Sequence, residues 1–214
     1  MHSRLTRSIA LSLLGATIAF AQTTTQPDLK HVPAGQGWQG AIEATKLADK
    51  DGQPAVEFTR SGIVWLDGFD FTNGEIEFDA RGKSAPPQSN FMGVVFHVRD
   101  AKTYECVYFR PFNFRAEDPL RKAHAVQYTC HPDWTWQRLR EQKTGQYEKP
   151  VNPPPDGDAW FHARVVVAKP KISVYVNGAK EPSLVVTELE HRTGSVGLMV
   201  DSSGLLANLR ITKR

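Results

Sequence analysis

The chain has 214 residues, 40% of them hydrophobic, with 26 basic side chains against 23 acidic ones and a formal net charge of +3. That near balance gives no electrostatic case for a nucleic-acid or membrane-surface partner, and two cysteines cannot make a cysteine-only zinc site. A chain of this length forms one domain that buries roughly 70% of the surface exposed when unfolded, and no Pro/Gly/Ser-rich linker divides it.

The chain opens with a basic flank (Arg4, Arg7), the mostly apolar run Ile9 to Phe20, and a small-x-small end at Ala19-Phe20-Ala21. This is the pattern of a secretory signal peptide, with cleavage expected before Gln22. The run is too short to anchor in a bilayer, so the mature chain is expected to be soluble and secreted or periplasmic. Losing residues 1–21 removes Arg4 and Arg7, which lowers the net charge from +3 to +1. Residues 22–37 are read as a loose leader segment and Trp38 to Arg214 as a single domain. Gly35-Gln-Gly-Trp-Gln-Gly40 matches G-x-G-x-x-G, but it follows Val32-Pro33-Ala34 instead of a strand. Arg60 also stands where, about twenty residues on, a dinucleotide site needs an acid.

Ala41 to Ala48 and Ala55 to Thr59 read as strands around the turn Asp49 to Gly52, which lacks the spaced oxygens and closing glutamate of a calcium loop. Gly62 to Leu66 follows, and then Asn73-Gly74 leads into Glu75-Ile-Glu-Phe-Asp79. There Ile76 and Phe78 alternate with Glu75, Glu77 and Asp79. A proline-bearing loop, 82–90, precedes the central stretch Phe91 to Trp136, which holds the runs Phe91 to Asp100, Thr103 to Phe114 and His124 to Trp136.

Strict alternation puts His97 with Arg99 on one face and Phe96 with Val98 on the other. Tyr104, Cys106, Tyr108 and Arg110 share a face opposite Val107 and Phe109. One side of this sheet is therefore greasy, and the other is polar, basic and aromatic. Glu105 falls on the greasy side, where a carboxylate needs a partner. Cys106 and Cys130 lie in two of these runs. Export permits a disulfide between them and buried free thiols are the alternative, because pairing depends on a Cα separation that the sequence does not give.

The segment 137–158, with Pro150, Pro153, Pro154 and Pro155, is either a surface loop or a wall of a site. Further strand-like runs are Trp160 to Val167, Lys171 to Val176, Ser183 to Val186, Gly194 to Val200 and Leu205 to Thr212. About a dozen short strands without a long amphipathic helix predict an all-β, two-sheet antiparallel sandwich of jelly-roll type. G-x-S-x-G is absent, since Gly194-Ser-Val-Gly197 is one residue short, and so is H-E-x-x-H.

From about Trp38 onward the chain resembles the concanavalin A-like lectin/glucanase superfamily, in its bacterial laminin-G-like and family 16 glycoside-hydrolase-like branches. The resemblance is carried by Phe71 to Asp79, Phe91 to Arg99, Tyr104 to Pro111, His124 to Tyr128 and Val174 to Gly178, taken in that order. It implies a jelly roll whose concave sheet faces a ligand, commonly a glycan, and in some members a bound calcium ion. Family 16 hydrolases carry acids at alternate positions of one strand, but the run Tyr104 to Arg110 has only Glu105. The two carboxyl groups about 5 Å apart that a retaining mechanism needs are therefore missing. Glu75, Glu77 and Asp79 have the alternation one strand pair earlier, where a solvated outer face competes with a catalytic role.

The expected function is glycan binding by a monomer, with an oligosaccharide or polysaccharide across the polar face. Tyr108, Tyr128, Trp134 and Trp136 are expected to stack on sugar rings, and Arg99, Arg110, Asn113, His124 and Gln127 to bond hydroxyls, with His97 and His131 completing the set. The alternative is a glycoside-cleaving hydrolase or lyase that draws its acid or base from Glu105, His97, His124 or His131. A metal-assisted route would replace the absent carboxylate pair.

Overall fold

The computed structural model describes residues 22–86, 90–190 and 192–214, so the expected signal peptide lies outside the described residues. In chain order the strands are β1 (Thr23–Thr25), β2 (Trp38–Gly40), β3 (Thr45–Lys50), β4 (Gln53–Phe58), β5 (Gly62–Leu66), β6 (Gly74–Arg81), β7 (Phe91–Val98) and β8 (Tyr104–Phe109). They continue as β9 (Val126–His131), β10 (Glu148–Lys149), β11 (Phe161–Ala168), β12 (Lys171–Val176), β13 (Leu184–Thr187), β14 (Ser195–Asp201) and β15 (Gly204–Lys213). Two short helices, α1 (Pro119–Ala123) and α2 (Trp136–Gln142), interrupt the second half. Among the described residues no helix is long and apolar enough to cross a membrane.

The strands form two antiparallel sheets. One runs β13-β12-β11-β6-β15-β4-β3 with β1 added to β15, and the other runs β10-β9-β8-β7-β14-β5-β2. Alternation builds the core between them. Ile76, Phe78 and Ala80 of β6, and Phe161, Ala163, Val165 and Val167 of β11, meet Val94, Phe96, Val107 and Phe109 from the other sheet. Phe109 packs edge-on to Phe161 at 5.1 Å and lies 6.3 Å from Phe78, so aromatic contacts tie the layers together.

The segment read as a loose leader is docked. Thr23–Thr25 adds to β15, and Leu29 and Val32 of the 3-10 helix Leu29–Ala34 are buried in the core. Asp28 caps that helix by accepting from the Lys30 amide at 2.9 Å. Gly35 ends it in the left-handed region at φ 66°, so the glycine-rich stretch closes a helix instead of opening one as a dinucleotide fingerprint would. Ile42–Ala44 is a 3-10 turn, and the strand expected from Ala41 begins at Thr45.

The alternating acids of β6 lie on the outer face of the first sheet, each with a cationic partner. Arg164 reaches Glu75 at 3.2 Å, Arg210 donates to Glu77 at 2.8 Å, and His162 Nδ1 lies 2.8 Å from Asp79. This outer face is an ion-pair ladder, which favours the solvated-face reading of Glu75, Glu77 and Asp79 over the catalytic one.

Burial would raise the Asp79 pKa, but bonds from His162, Asn208 and Gln53 bring it below the usual value. His162 is raised, first by its bond to Asp79. Their mutual stabilisation is therefore full between the ordinary values of the two groups, ~4 for the carboxyl and ~6.5 for the imidazole. It fades as pH falls through the lowered carboxyl pKa and as pH rises through the raised imidazole pKa. A His162→Ala variant is expected to be less stable than the parent near pH 5 and to converge with it well above ~6.5. Urea midpoints measured across that range check this, and a gap that widens with rising pH would contradict it.

Candidate functional site: the concave face

The outward face of the second sheet is built from rows that each cross six of its seven strands. One row reads Glu148, Gln127, Tyr108, Gly93, Met199, Ile63 from β10 to β5, and the next reads Thr129, Cys106, Val95, Gly197, Trp65, Gln39 from β9 to β2. The first row therefore grades from charged to apolar across the sheet. One glycine in each row keeps the floor bare. A Cβ on Gly93 would stand 2.0 Å from the Val107 carbonyl oxygen, and one on Gly197 would stand 1.9 Å from that of Val64. Phe91, Tyr104, Tyr108, Trp136, His131 and Thr129 line a cleft of ≈ 480 Å³ that continues over Met199 and Ile63 to Ser61 and Asp201. From β9 to β5 is four strand spacings of ~4.8 Å, so the cleft runs for ~19 Å.

At the charged end, Arg110 Nη2 donates to Gln127 Oε1 at 2.6 Å and to the Tyr108 hydroxyl at 2.9 Å, while Nη1 donates to the His124 carbonyl at 2.8 Å. Tyr108 in turn donates to Gln127 Oε1 at 3.0 Å. The guanidinium lies 5.0 Å from the centre of the Phe91 ring and 4.9 Å from that of Tyr108. Glu148 accepts a bidentate pair of hydrogen bonds from Arg140, from Nε to Oε1 at 3.0 Å and from Nη2 to Oε2 at 2.9 Å. His124 Nδ1 stands 2.8 Å from Glu148 Oε2 without hydrogen-bond alignment. Arg140 also lies over the Trp136 ring at 4.8 Å, which joins that indole to the charged end.

Burial lowers the His124 pKa, with Arg140 and Arg110 adding to the effect and Glu148 opposing it. Burial, with Arg192, also lowers that of His131, whose ring stacks on Tyr104 at 4.7 Å. Both shifts favour the neutral imidazole, the form that accepts a proton.

Several expected site residues lie elsewhere. His97 is fully buried and faces the interior. Across the β7–β14 register, Ser195 to Gly197 spans Val98 to Val95, so β7 carries one extra residue, and His97 sits there at φ 51°. The bulge reverses the alternation, which separates Phe96 in the core from Val98 on the concave face. His97 Nε2 lies 3.0 Å from the Thr72 carbonyl, which only accepts, so that nitrogen carries a proton. Its Nδ1 lies 2.7 Å from Glu105 Oε1, and the Tyr128 hydroxyl donates to Glu105 Oε2 at 2.6 Å. Tyr128 is thus an interior residue as well, directed inward like Val126 and Cys130.

Arg99 is exposed past the end of β7, outside the cleft. Asn113 is buried, bonding the His124 carbonyl at 3.4 Å and accepting from Arg121 at 3.4 Å, so it positions backbone. Trp134 packs against the core under Arg138 and Lys143. Tyr108, His131 and Trp136 line the cleft, Gln127 is paired opposite Tyr108, Arg110 joins them through the Tyr108 hydroxyl, and His124 stands against Glu148. Sequence reasoning did not select Glu148, Arg140, Phe91, Tyr104 or Met199, although 137–158, which supplies the first two, stood as a candidate wall.

The cysteines are both free and buried. Cys106 faces the concave side while Cys130 faces the core, so two faces of one sheet separate the thiols and no bridge forms. Burial pushes both pKa values up, that of Cys130 to about 12. His97, Glu105 and Glu188 bring ligand atoms within 4.8 Å of one another. The Lys169 ammonium, 3.1 Å from Glu188 Oε1, already supplies the cation there. Calcium takes six to eight oxygens, so these residues do not fit it.

The family of the 3-keto-alpha-glucoside-1,2-lyase-like domain matches residues 34–210. The chain belongs to this family. Among solved structures, a carbohydrate-binding module, CBM66, from Bacillus subtilis is similar with a TM-score of 0.56 and 12% identity, covering 82% of this chain and 95% of that one. A Bacillus subtilis protein of unknown function with a galectin-like fold gives 0.55 and 10%, covering 88% and 94%. The exoplasmic/lumenal domain of VIP36 in its Ca²⁺/Man-bound form gives 0.55 and 10%, covering 87% and 88%. At these identities the likeness is one of fold alone, a two-sheet antiparallel sandwich shared with this member of the 3-keto-alpha-glucoside-1,2-lyase-like family. No curated protein matches the sequence.

Proposed function

We propose that this domain, exported to the periplasm or beyond, binds an oligosaccharide or polysaccharide along its concave face. The observation that carries the reading is the cleft itself. Aromatic rings (Trp136, Tyr104, Tyr108, Phe91) form its sides, an apolar floor fits the C–H faces of sugars, and the Tyr108 hydroxyl, held by Arg110 and Gln127, adds a polar group at one end. A module named for carbohydrate binding and a mannose-bound domain with this fold support it. A glycan array and polysaccharide pull-downs test it, and the folded protein is expected to retain at least one glycan class. Blank results in both would remove the reading.

A second reading, elimination from a 3-oxo glucoside, is favoured by the family and by His131. A 1,2-elimination removes the C2 proton, which the neighbouring carbonyl acidifies. A C1–C2 double bond then forms, and the C1 substituent leaves with its bonding pair to be protonated to an alcohol. His131, neutral and in the cleft, is suited to take that proton. Turnover of a 3-oxo-α-glucoside, followed by absorbance of the enone, is expected to fall ~10²-fold or more in His131→Gln. Because the base works deprotonated and its pKa is lowered, the acid limb of the pH profile is expected below ~6.5. Undiminished turnover in the variant would remove His131 from this role, and an absence of turnover in the parent leaves binding alone.

A further inference from the structure

Arg110 lies against the Phe91 and Tyr108 rings that line one end of the cleft, and no carboxylate is among its hydrogen-bond partners. Arg110 is 5% exposed, and its bonds go to a carbonyl, a phenol hydroxyl and an amide oxygen, all neutral. The nearby carboxylate, Glu148, is taken up by Arg140 and leans on His124. With Arg110 and Arg140 positive, Glu148 negative and His124 neutral, this end carries one net positive charge in a site mostly withdrawn from water. An unpaired buried charge is costly to hold and strongly favours a counter-ion.

A second, independent feature points the same way. Gln127 is fully buried, and its orientation is fixed by Arg110. The guanidinium only donates, so Oε1 must face it and the Nε2 amide must point away, where it has no partner. Thr129 Oγ1, one row along on the same face and lining the cleft, is also without a partner. A cation without a bonded carboxylate, beside a buried amide donor and a hydroxyl, favours an acceptor with negative charge.

We propose that this end of the concave cleft recognises an anionic sugar, one that bears a carboxylate or a sulfate ester, with Arg110 as its counter-charge and Gln127 Nε2 as a second donor. The proposal rests on the reading of the concave face as a sugar site and specifies the class of sugar. Neutral rings stack along the aromatic stretch, and the charged ring occupies the Arg110 end.

Calorimetric titrations of the purified protein with trimers containing glucuronate, galacturonate or mannuronate, their methyl esters, and sulfated trimers of equal length test it. The esters keep the shape and remove the charge. At least one charged trimer is expected to bind ~10-fold or more tightly than its uncharged counterpart, the difference that a hydrogen bond to a charged group makes. Stronger binding of the acid assigns a carboxylate, and stronger binding of the sulfated trimer assigns a sulfate ester. The preference is expected to vanish in Arg110→Gln, and the wild-type comparison decides without it if that variant does not fold. Esters binding as well as the acids and the sulfated trimers, or the preference surviving in folded Arg110→Gln, would overturn the proposal. Binding confined to neutral glycans would overturn it while leaving the concave-face reading intact, and no binding by any sugar would remove both.

Discussion

Glu105→Ala is expected to lower folding stability by about 3–5 kcal/mol, the usual consequence of taking one partner from a buried charge-bearing pair. The carboxylate is fully buried and has no water to fall back on. It meets His97 Nδ1 at 2.7 Å and the Tyr128 hydroxyl at 2.6 Å, while His97 is held from its other side by the Thr72 carbonyl. Alanine strands both donors at once and leaves a cavity. Glu105→Gln is expected to cost less. Its oxygen still accepts from Tyr128, and its amide donates to a neutral His97 Nδ1, which closes the network without charge. Urea unfolding of the three proteins measures the order. A loss below ~1 kcal/mol in the alanine variant would show that the network contributes no more than an ordinary hydrogen bond. Because Glu105 and His97 lie between the sheets, an enzymatic role on the concave face falls to His131 and His124 instead.

Trp136→Ala and Trp134→Ala are expected to separate binding from stability. Trp136 starts α2, is 40% exposed, and stands at the cleft beside Arg140. Its removal is expected to weaken glycan binding by ~10-fold, since a stacked ring contributes ~0.5–1.5 kcal/mol beyond the apolar area it covers, with little change in unfolding midpoint. Trp134 packs on the core and carries Arg138 and Lys143 over its ring. Its removal is expected to cost ~1–3 kcal/mol of stability. Equal losses of affinity with unchanged stability in both variants would show that the two indoles share one surface.

What the sequence disclosed follows from how local each signal is. The alternation of Ile76 and Phe78 with Glu75, Glu77 and Asp79 is a period-two pattern within one strand, and β6 shows it unbroken. Tyr104, Tyr108 and Arg110 likewise fall on one face as expected. The parity of β7 fails at a single inserted residue. A bulge at His97 is decided by its pairing with β14, about a hundred residues away in sequence, which no local pattern carries. Tyr128 has the opposite parity to Gln127, so the two cannot share the binding face expected of both. The buried carboxyl of Glu105 supplies the partner that makes Tyr128 an interior residue.

Trp136 reads as strand only if Thr135 is overlooked. Thr135 caps α2, accepting from the Arg138 amide at 3.5 Å, and Leu139 is buried at helical spacing. The leader shows a similar signal in Asp28 followed by Leu29 and Val32. Glu148 and Arg140 join the site only because β10 pairs with β9, a tertiary event that places Glu148 opposite Gln127.

The claim on which the rest depends is that sugar lies on the concave face, and the five tryptophans are placed to test it. In a ¹⁵N-labelled protein each indole N–H gives its own signal. Trp136 stands at the cleft, whereas Trp160 bonds the Lys50 carbonyl at 3.2 Å beside the other sheet. Titration with cello-, xylo-, manno- and malto-oligosaccharides and with uronate trimers is expected to move the Trp136 signal saturably while the Trp160 signal stays fixed. Saturable movement of Trp160 with Trp136 unmoved, or no indole movement by a sugar that calorimetry shows to bind, would contradict a concave-face site.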